Sequence, residues 1–223
     1  MLNDSAAVDK EVSRQDFAER LSLWLGAFDA VTLDAAHQSL KAVDAGWPSS
    51  LASPASVQEE YHRVRTSLLK AFGQIDGLGA PETDGKYAPY RKHYLEQQRQ
   101  MEAKIGTLRA HVRHILARAA TPLGQLAALD AVWEQMLGGR EQKLLAVVPA
   151  LLERRFKHLH KAHQQTLDVT AQPDDPAAGR QRGGWLDRFG QELREILVAE
   201  MDVRLQPVVG LMEAFSSEVR TYQ

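Results

Sequence analysis

Apolar side chains recur every three or four residues along most of the chain, which is the period of a helix with one buried face. The pattern predicts a helix from about Arg14 to Phe28, after a capping arrangement of Ser13 and Asp16. Thr32 caps a shorter helix through Leu40, and Ser56 opens a third that ends near Gly73. The alternating pattern typical of strands is not found, so we expect an all-α fold.

The longest periodic segments lie in the middle of the chain. Pro89 suits the first turn of a helix from Tyr90 to Ala119, and Thr121 caps a helix that Gly138-Gly139 is expected to end. The next helix, Arg140 to Leu167, contains Pro149, which predicts a kink or break near Val147. We therefore expect an elongated all-α bundle of six to eight helices with a long central antiparallel pair, Tyr90 to Ala119 and Arg140 to Leu167.

Composition divides the chain into three parts. Residues 168–184 are rich in Pro, Gly and Asp, as in a flexible linker. This predicts a main helical bundle over residues 1–167 and C-terminal helices over residues 185–223 that pack back on the bundle. Within the last part, Pro207 is expected to separate a helix from Trp185 to Leu205 from a short one from Val208 to Val219.

Charge is unevenly distributed, although the net formal charge is only −2. Residues 1–85 carry seven basic and 13 acidic side chains, residues 86–167 carry 14 and six, and residues 168–223 carry six and ten. The basic middle third either meets an anionic partner or packs against the acidic flanks of its own chain.

Localisation is also constrained by composition. The chain has no cysteine, which excludes disulfides and thiolate metal sites, and its acidic N-terminus does not resemble a signal peptide. No apolar run approaches the roughly 18 residues that span a bilayer. We therefore expect a cytoplasmic, soluble protein without membrane insertion.

The stretch LLERRFKHLHKAHQQ, Leu151 to Gln165, combines basic, histidine and apolar residues. On a helical projection one half carries apolar side chains, namely Leu151, Leu152, Phe156, Leu159, Ala162 and, just beyond the stretch, Leu167. The opposite half carries the basic residues Arg154, Lys157, His158 and Lys161, and Lys143 projects onto the same line if the kink is mild. Such a stripe contacts phosphates, faces solvent, or pairs with acids of a neighbouring helix.

A second group of cations is interleaved with aromatic residues. Arg91 and Lys92 lie between Tyr87, Tyr90 and Tyr94, a pattern found where single-stranded nucleic acid stacks on aromatic rings. The alternative is that Tyr90 and Tyr94 belong to the apolar stripe of the helix. We count Arg91 and Lys92, together with the basic stripe of the previous paragraph, as candidate contacts to nucleic acid or an acidic partner.

Metal binding and catalysis have weak support in the sequence. His160 with His163, and His111 with His114, have the three-residue spacing of helical metal ligands, but no carboxylate completes an HExxH-like set. Motifs for a nucleophile or a phosphate loop are also absent. We expect no metal, no cofactor and no catalytic residue.

Three stretches together resemble a known family: the N-terminal SRQDFAERLSLWLGAFDAVTLDAA, a central one from YAPYRKHYLEQQRQMEAKIGTLRAHVR through LAALDAVWEQMLGGREQKLLAVVPALLERRF, and the C-terminal AEMDVRLQPVVGLMEAF. They are similar to a proteobacterial domain-of-unknown-function family of helical proteins, encoded beside MotA-like and OmpA/MotB-like genes. The resemblance covers most of the chain except residues 73–85 and 168–184. That neighbourhood is similar to type III Zorya anti-phage defence systems with their accessory protein ZorF. The resemblance implies a context and carries over no functional residue.

Together these observations lead to one main hypothesis and two alternatives. The main hypothesis is a non-enzymatic cytoplasmic accessory protein of a Zorya-like system. It binds DNA, the MotA/MotB-like membrane motor complex, or the motor's small helical companion protein. The alternatives are a purely structural helical adaptor without nucleic-acid binding, and a nuclease-like effector. A long amphipathic helix pair self-associates as readily as it folds back, so a homodimer and a folded-back monomer are both open alternatives.

Overall fold

The computed structural model describes residues 53–75, 86–119, 121–170, 179 and 181–221, together with residues 31 and 34. These residues contain no strand, which confirms the all-α fold class for this part of the chain. They form five α-helices: α1 (Pro54–Phe72), α2 (Ala88–Ala117), α3 (Thr121–Leu145), α4 (Val148–Thr170) and α5 (Trp185–Thr221). The helix expected from Arg14 to Phe28 and most of the second helix and of the linker lie outside the described residues.

Helix α1 begins earlier than its sequence pattern predicts. Ser53 is the N-cap, and its hydroxyl oxygen accepts a hydrogen bond from the Ser56 amide at 3.2 Å, while Pro54 occupies the first turn. Proline suits that position because its missing N–H would have no partner there. The cap is therefore Ser53 and not Ser56, whereas the end of the helix at Gly73 agrees with the prediction.

Helix α3 runs through Gly138-Gly139 to Leu145, so the expected end at the two glycines is wrong. A glycine inside a helix costs only about 0.5–1 kcal/mol, which packing on both sides offsets. Here the flanking residues Leu137 and Glu141 both face α5, lining a cavity with Arg204.

The predicted break near Val147 is confirmed. Helix α3 ends at Leu145, Ala146 and Val147 form a turn, and α4 starts at Val148. Pro149 has no backbone N–H, so the carbonyl four residues earlier cannot receive its usual helical bond. The expected helix from Arg140 to Leu167 is thus divided between α3 and α4. Its antiparallel pairing with α2 and the total of six to eight helices stay predictions.

Helix α5 is continuous through Pro207, so the expected division at that residue is wrong. Proline leaves the carbonyl of Val203 without its helical donor, but Val203 is 60% exposed and water can bond that carbonyl. Beyond the proline, Val208, Leu211 and Phe215 stay buried on the core face. Their packing holds the helix in one piece.

Helix α5 contacts all four other helices. Three contacts give the direction of its neighbours: Arg204 pairs with Glu141 of α3, Glu192 pairs with Arg155 of α4, and Trp185 packs on His160 of α4. From the first of these contacts to the last, the residue number on α3 and α4 increases while the residue number on α5 decreases. Helices α3 and α4 therefore follow one another along α5, antiparallel to it.

Candidate nucleic-acid interface

The inner face of α4 fixes the helix to the bundle. Leu152, Phe156 and Leu159 are 2%, 2% and 6% exposed. The Phe156 ring lies 5.1 Å from that of Phe189 and 5.2 Å from that of Trp185, both edge-to-face. Leu151 was expected to face inward, but it is 52% exposed, because the buried side is centred on the other three residues.

The opposite face of α4 carries the predicted basic stripe. Arg154, Lys157, His158 and Lys161 are all exposed. Lys157 pairs with Glu153 one turn earlier at 2.7 Å. Arg154, His158 and Lys161 form no ion pair with any residue that the structure describes. We call these four residues the basic face; its charge is mostly open to an anionic partner.

Arg155 lies next to the basic face in sequence and has a different environment. Its guanidinium donates two hydrogen bonds to Glu192 of α5, at 2.7 and 2.5 Å. The hydrogen bond from Arg155 lowers the pKa of Glu192, and the same bond raises the pKa of Arg155. This bidentate pair clamps α4 to α5 and removes Arg155 from the outward-facing charges.

The other predicted contact residues are exposed but are not all near α4. The Tyr87 hydroxyl donates to the carbonyl of Pro149 at 2.8 Å. The Tyr87 pKa is raised to about 12, first by burial and then by the charge of Glu153, while the charge of Arg91 acts in the opposite direction. Arg91 therefore lies near the start of α4. No described contact brings Lys92 or Lys143 to the basic face, and Lys143 is separated from α4 by the turn at Ala146 and Val147.

The histidines near the basic face belong to an aromatic cluster. His160 and His163 place their rings 4.9 and 6.0 Å from Trp185. His111 of α2 instead pairs with Glu60 of α1 at 2.7 Å. No group of three or more His, Asp or Glu residues suited to a metal ion occurs in the described ranges.

The base-stacking interpretation is wrong for all three tyrosines, and Tyr87 is only 9% exposed. Tyr90 and Tyr94 are 7% and 0% exposed, so both rings belong to the core. Burial and then a 2.7 Å hydrogen bond to Glu200 raise the pKa of Tyr94. None of the three rings is accessible to a nucleotide base.

The profile of one protein family, described as "Protein of unknown function (DUF3348)", matches residues 1–217. The chain belongs to this family. Among curated proteins and among solved structures, no match to the chain is found. The family description assigns no activity, so the function of this DUF3348 chain has to be argued from its own surfaces. Within the described part of the chain, no helix is long and apolar enough to cross a membrane.

Two arginines in the basic middle third of the DUF3348 chain form ion pairs between helices of the bundle. Arg109 and Arg113 of α2 bind Asp130 and Glu134 of α3, with the four side chains between 11% and 38% exposed. The sequence analysis missed this cluster. The sequence pattern that indicates this cluster is a pair of basic residues four apart, Arg109 and Arg113, followed on the next, antiparallel helix by a pair of acidic residues four apart, Asp130 and Glu134. These cations are not available to DNA.

A groove also lies where α3 ends, α4 begins and the middle of α5 passes. Its cavity has a volume of about 470 Å³ and is lined mainly by apolar side chains, including Leu144, Val148, Ile196, Ala199 and Val203. Arg140 and Glu141 stand on the α3 side of this groove. It was not predicted, because it depends on how three distant segments pack.

Proposed function

We propose that this protein is a non-enzymatic binding protein whose basic face on α4 contacts the phosphate backbone of DNA. The observation that carries the proposal is the position of Arg154, Lys157, His158 and Lys161, all exposed on the side of α4 opposite its buried residues. Phosphate contacts need accessible cations and are indifferent to base sequence. Arg91, near the start of α4, would extend the face.

The biological context belongs to the same proposal. The resemblance to accessory proteins of Zorya-like anti-phage systems supports a cytoplasmic role beside a MotA/MotB-like motor complex. In that context a protein without cofactor or metal would act by holding DNA, with the motor or its small companion protein as further partners. For the architecture, we propose six to eight helices in total, with the antiparallel central pair expected from the sequence.

The test is charge reversal on the basic face. In the variant Arg154→Glu/Lys157→Glu/Lys161→Glu, we expect duplex DNA binding at low salt to be lost, since three phosphate contacts become repulsive. If all three residues touch phosphates, the slope of log K against log salt of a milder triple Ala variant falls in magnitude by about 2.7. Electrophoretic mobility shift or fluorescence anisotropy measures both effects.

A matched control carries the same change in net charge. Arg63, Lys70 and Arg194 are exposed and lie on other helices. Their triple reversal to Glu should keep most of the DNA affinity, because it leaves the basic face intact. Equal losses in the two triple variants would mean that net charge, and not this face, governs binding.

Failure of the unmodified protein to bind single- or double-stranded DNA at low salt would favour the adaptor alternative. Magnesium-dependent DNA cleavage would favour the nuclease alternative.

A further inference from the structure

An acidic residue, Asp168, lies on the same line of α4 as two cations of the basic face. Arg154, Lys161 and Asp168 follow one another at seven residues, which is close to two helical turns, so they project from the same side of the helix. All three side chains are exposed. At 1.5 Å per residue, each lies about 10.5 Å along the helix axis from the next. The line therefore carries two positive charges followed by one negative charge.

The basic face ends at Lys161. No Lys, Arg, Asp or Glu occurs between Lys161 and Asp168, so the next charge of this kind along α4 is the negative one. Phosphates of one DNA strand follow one another at about 3.4 Å along the duplex axis. The distance of about 10.5 Å from Arg154 to Lys161 therefore spans about three phosphates. A strand that followed α4 any further would bring a phosphate close to the carboxylate of Asp168.

The side chain of Asp168 takes no part in the polar contacts of the bundle. It forms no ion pair or hydrogen bond with any residue that the structure describes. It also lies in the last turn of α4, where the negative end of the helix dipole disfavours a carboxylate. No basic residue occurs in that turn to offset the charge. The C-terminal end of α4 is therefore electronegative, and helix stability does not account for the acid there.

We propose that Asp168 sets the limit of the DNA contact on α4. The phosphate backbone of duplex DNA binds between Arg154 and Lys161, and the Asp168 carboxylate together with the C-terminal end of the helix repels it from the last two turns. The contact then stays short, at about three phosphates, and the residues beyond Lys161 remain free of DNA. This inference rests on the proposed function, because it concerns the same site.

The first test changes the charge at residue 168 of the full chain. Asp168→Lys extends the row of cations and should add one phosphate contact, so the slope of log K against log salt for duplex DNA becomes steeper by about 0.9. The gain in affinity over the natural protein should then grow about 3.5-fold when salt is lowered from 200 to 50 mM. Asp168→Asn removes the repulsion without adding a cation, so it should tighten binding and keep the slope. Fluorescence anisotropy measures both quantities.

Glu213→Lys is the matched control for net charge. Glu213 is exposed on α5 and lines a cavity with Gln58 and Tyr61 of α1, so it lies beside α1 and not on α4. Its replacement makes the same change in charge as Asp168→Lys and should leave the slope unchanged. Equal effects of Asp168→Lys and Glu213→Lys would overturn the proposal about Asp168 and leave DNA binding by the basic face standing. Unchanged affinity in both variants of Asp168 would overturn it as well.

Cysteine labelling tests where the contact ends. The natural chain has no cysteine, so His158→Cys supplies one thiol within the basic face and Val169→Cys supplies one beside Asp168, at a site that is 86% exposed. Saturating duplex DNA should slow maleimide labelling of the His158→Cys variant and leave that of the Val169→Cys variant unchanged. In Asp168→Lys/Val169→Cys, DNA should slow the labelling.

Protection of the Val169→Cys variant while Asp168 is still present would show that DNA already covers the last turn, and would overturn the proposal. If the natural protein binds no DNA at low salt, the proposed function itself is wrong and this inference is wrong with it.

Discussion

Glu200 shows how one buried side chain connects two helices of this protein. It is a buried carboxylate, 6% exposed, and its oxygens accept hydrogen bonds from Tyr94 at 2.7 Å, from Gln98 at 3.1 Å and from Arg204 at 3.1 Å. A buried charge without such partners would cost several kcal/mol. The network joins α2 to α5, so we assign it a structural role.

His93 is the residue whose protonation should matter for stability. It is 9% exposed, and its Nε2 has no hydrogen-bond partner among the described residues. Burial lowers its pKa below the ordinary value of 6.5. The unfolded chain therefore binds the proton more readily than the folded one, and stability falls as the pH drops below 6.5.

Replacement of His93 by Leu should remove this contribution. We expect the variant to lose less stability than the natural protein between pH 7 and pH 5, as measured by urea unfolding at each pH. The seven other histidines act equally in both proteins, so the difference between the two pH profiles isolates residue 93. Parallel profiles would contradict the assignment.

Among individual residues, the sequence predicted burial better than interactions. Apolar periodicity identified the core residues Leu152, Phe156 and Leu159, because burial follows directly from the helical repeat. It also placed the basic residues on the side of the helix opposite the apolar ones. The partners of Arg155 and Arg109 were not predicted, because each pair joins side chains on different helices. Two adjacent arginines, Arg154 and Arg155, look alike in sequence and differ only in what packs against them.

At the scale of helices, local signals predicted some boundaries and failed at others. The break before Pro149 agrees with the prediction, because it has a local cause in the proline. Helix α3 starts at Thr121, the residue that was predicted to cap it. The predictions failed at Gly138-Gly139 and at Pro207, where both helices continue. There the local preference is worth only a few kcal/mol, and packing against α5 or within the core exceeds it.

The two glycines give a direct test of the continuity of α3. A Cβ added at Gly138 or at Gly139 would meet no atom within 4 Å. Replacement of either by Ala should therefore raise the free energy of unfolding by about 0.5–1 kcal/mol, because alanine loses less backbone entropy in a helix. Thermal or urea denaturation followed at 222 nm measures the change.

Gly190 of α5 serves as the contrasting site. A Cβ there would lie 3.1 Å from Cγ2 of Ile75. Gly190→Ala should therefore raise the free energy of unfolding by less than the replacements at Gly138 and Gly139 do, or should lower it. If Gly138→Ala and Gly139→Ala both destabilise the protein, the residues around the two glycines are not helical in solution.

At the scale of the molecule, α5 links all the described helices. It contacts α1, α2, α3 and α4, and its core residues include Phe189, Leu197, Met201 and Phe215, all 1% exposed or less. Helix α2 likewise contacts all four other helices, so α2 and α5 together hold the bundle. This arrangement was only partly predictable: the sequence indicated C-terminal helices that pack on a bundle, but not one helix of 37 residues at its centre.

Such a centre predicts cooperative unfolding of the described helices. Helix content at 222 nm and tryptophan fluorescence, to which Trp133 of α3 and Trp185 of α5 contribute, should follow one urea transition. Phe215→Ala should shift both curves together and reduce stability by about 3–5 kcal/mol, since it empties a fully buried site. Separate midpoints for the two probes would show that the helices unfold in independent groups.

The position of α5 in the chain has a consequence for synthesis. The ribosome releases α1 to α4 first, and their shared core stays incomplete until residues 185–221 have emerged. The hydrogen bond between Tyr94 and Glu200 alone closes a loop across 106 residues. At roughly 5–20 residues per second, the earlier helices expose their apolar faces for several seconds. During that interval the nascent chain is a substrate for chaperones, and the bundle folds late, after most of its sequence has been translated.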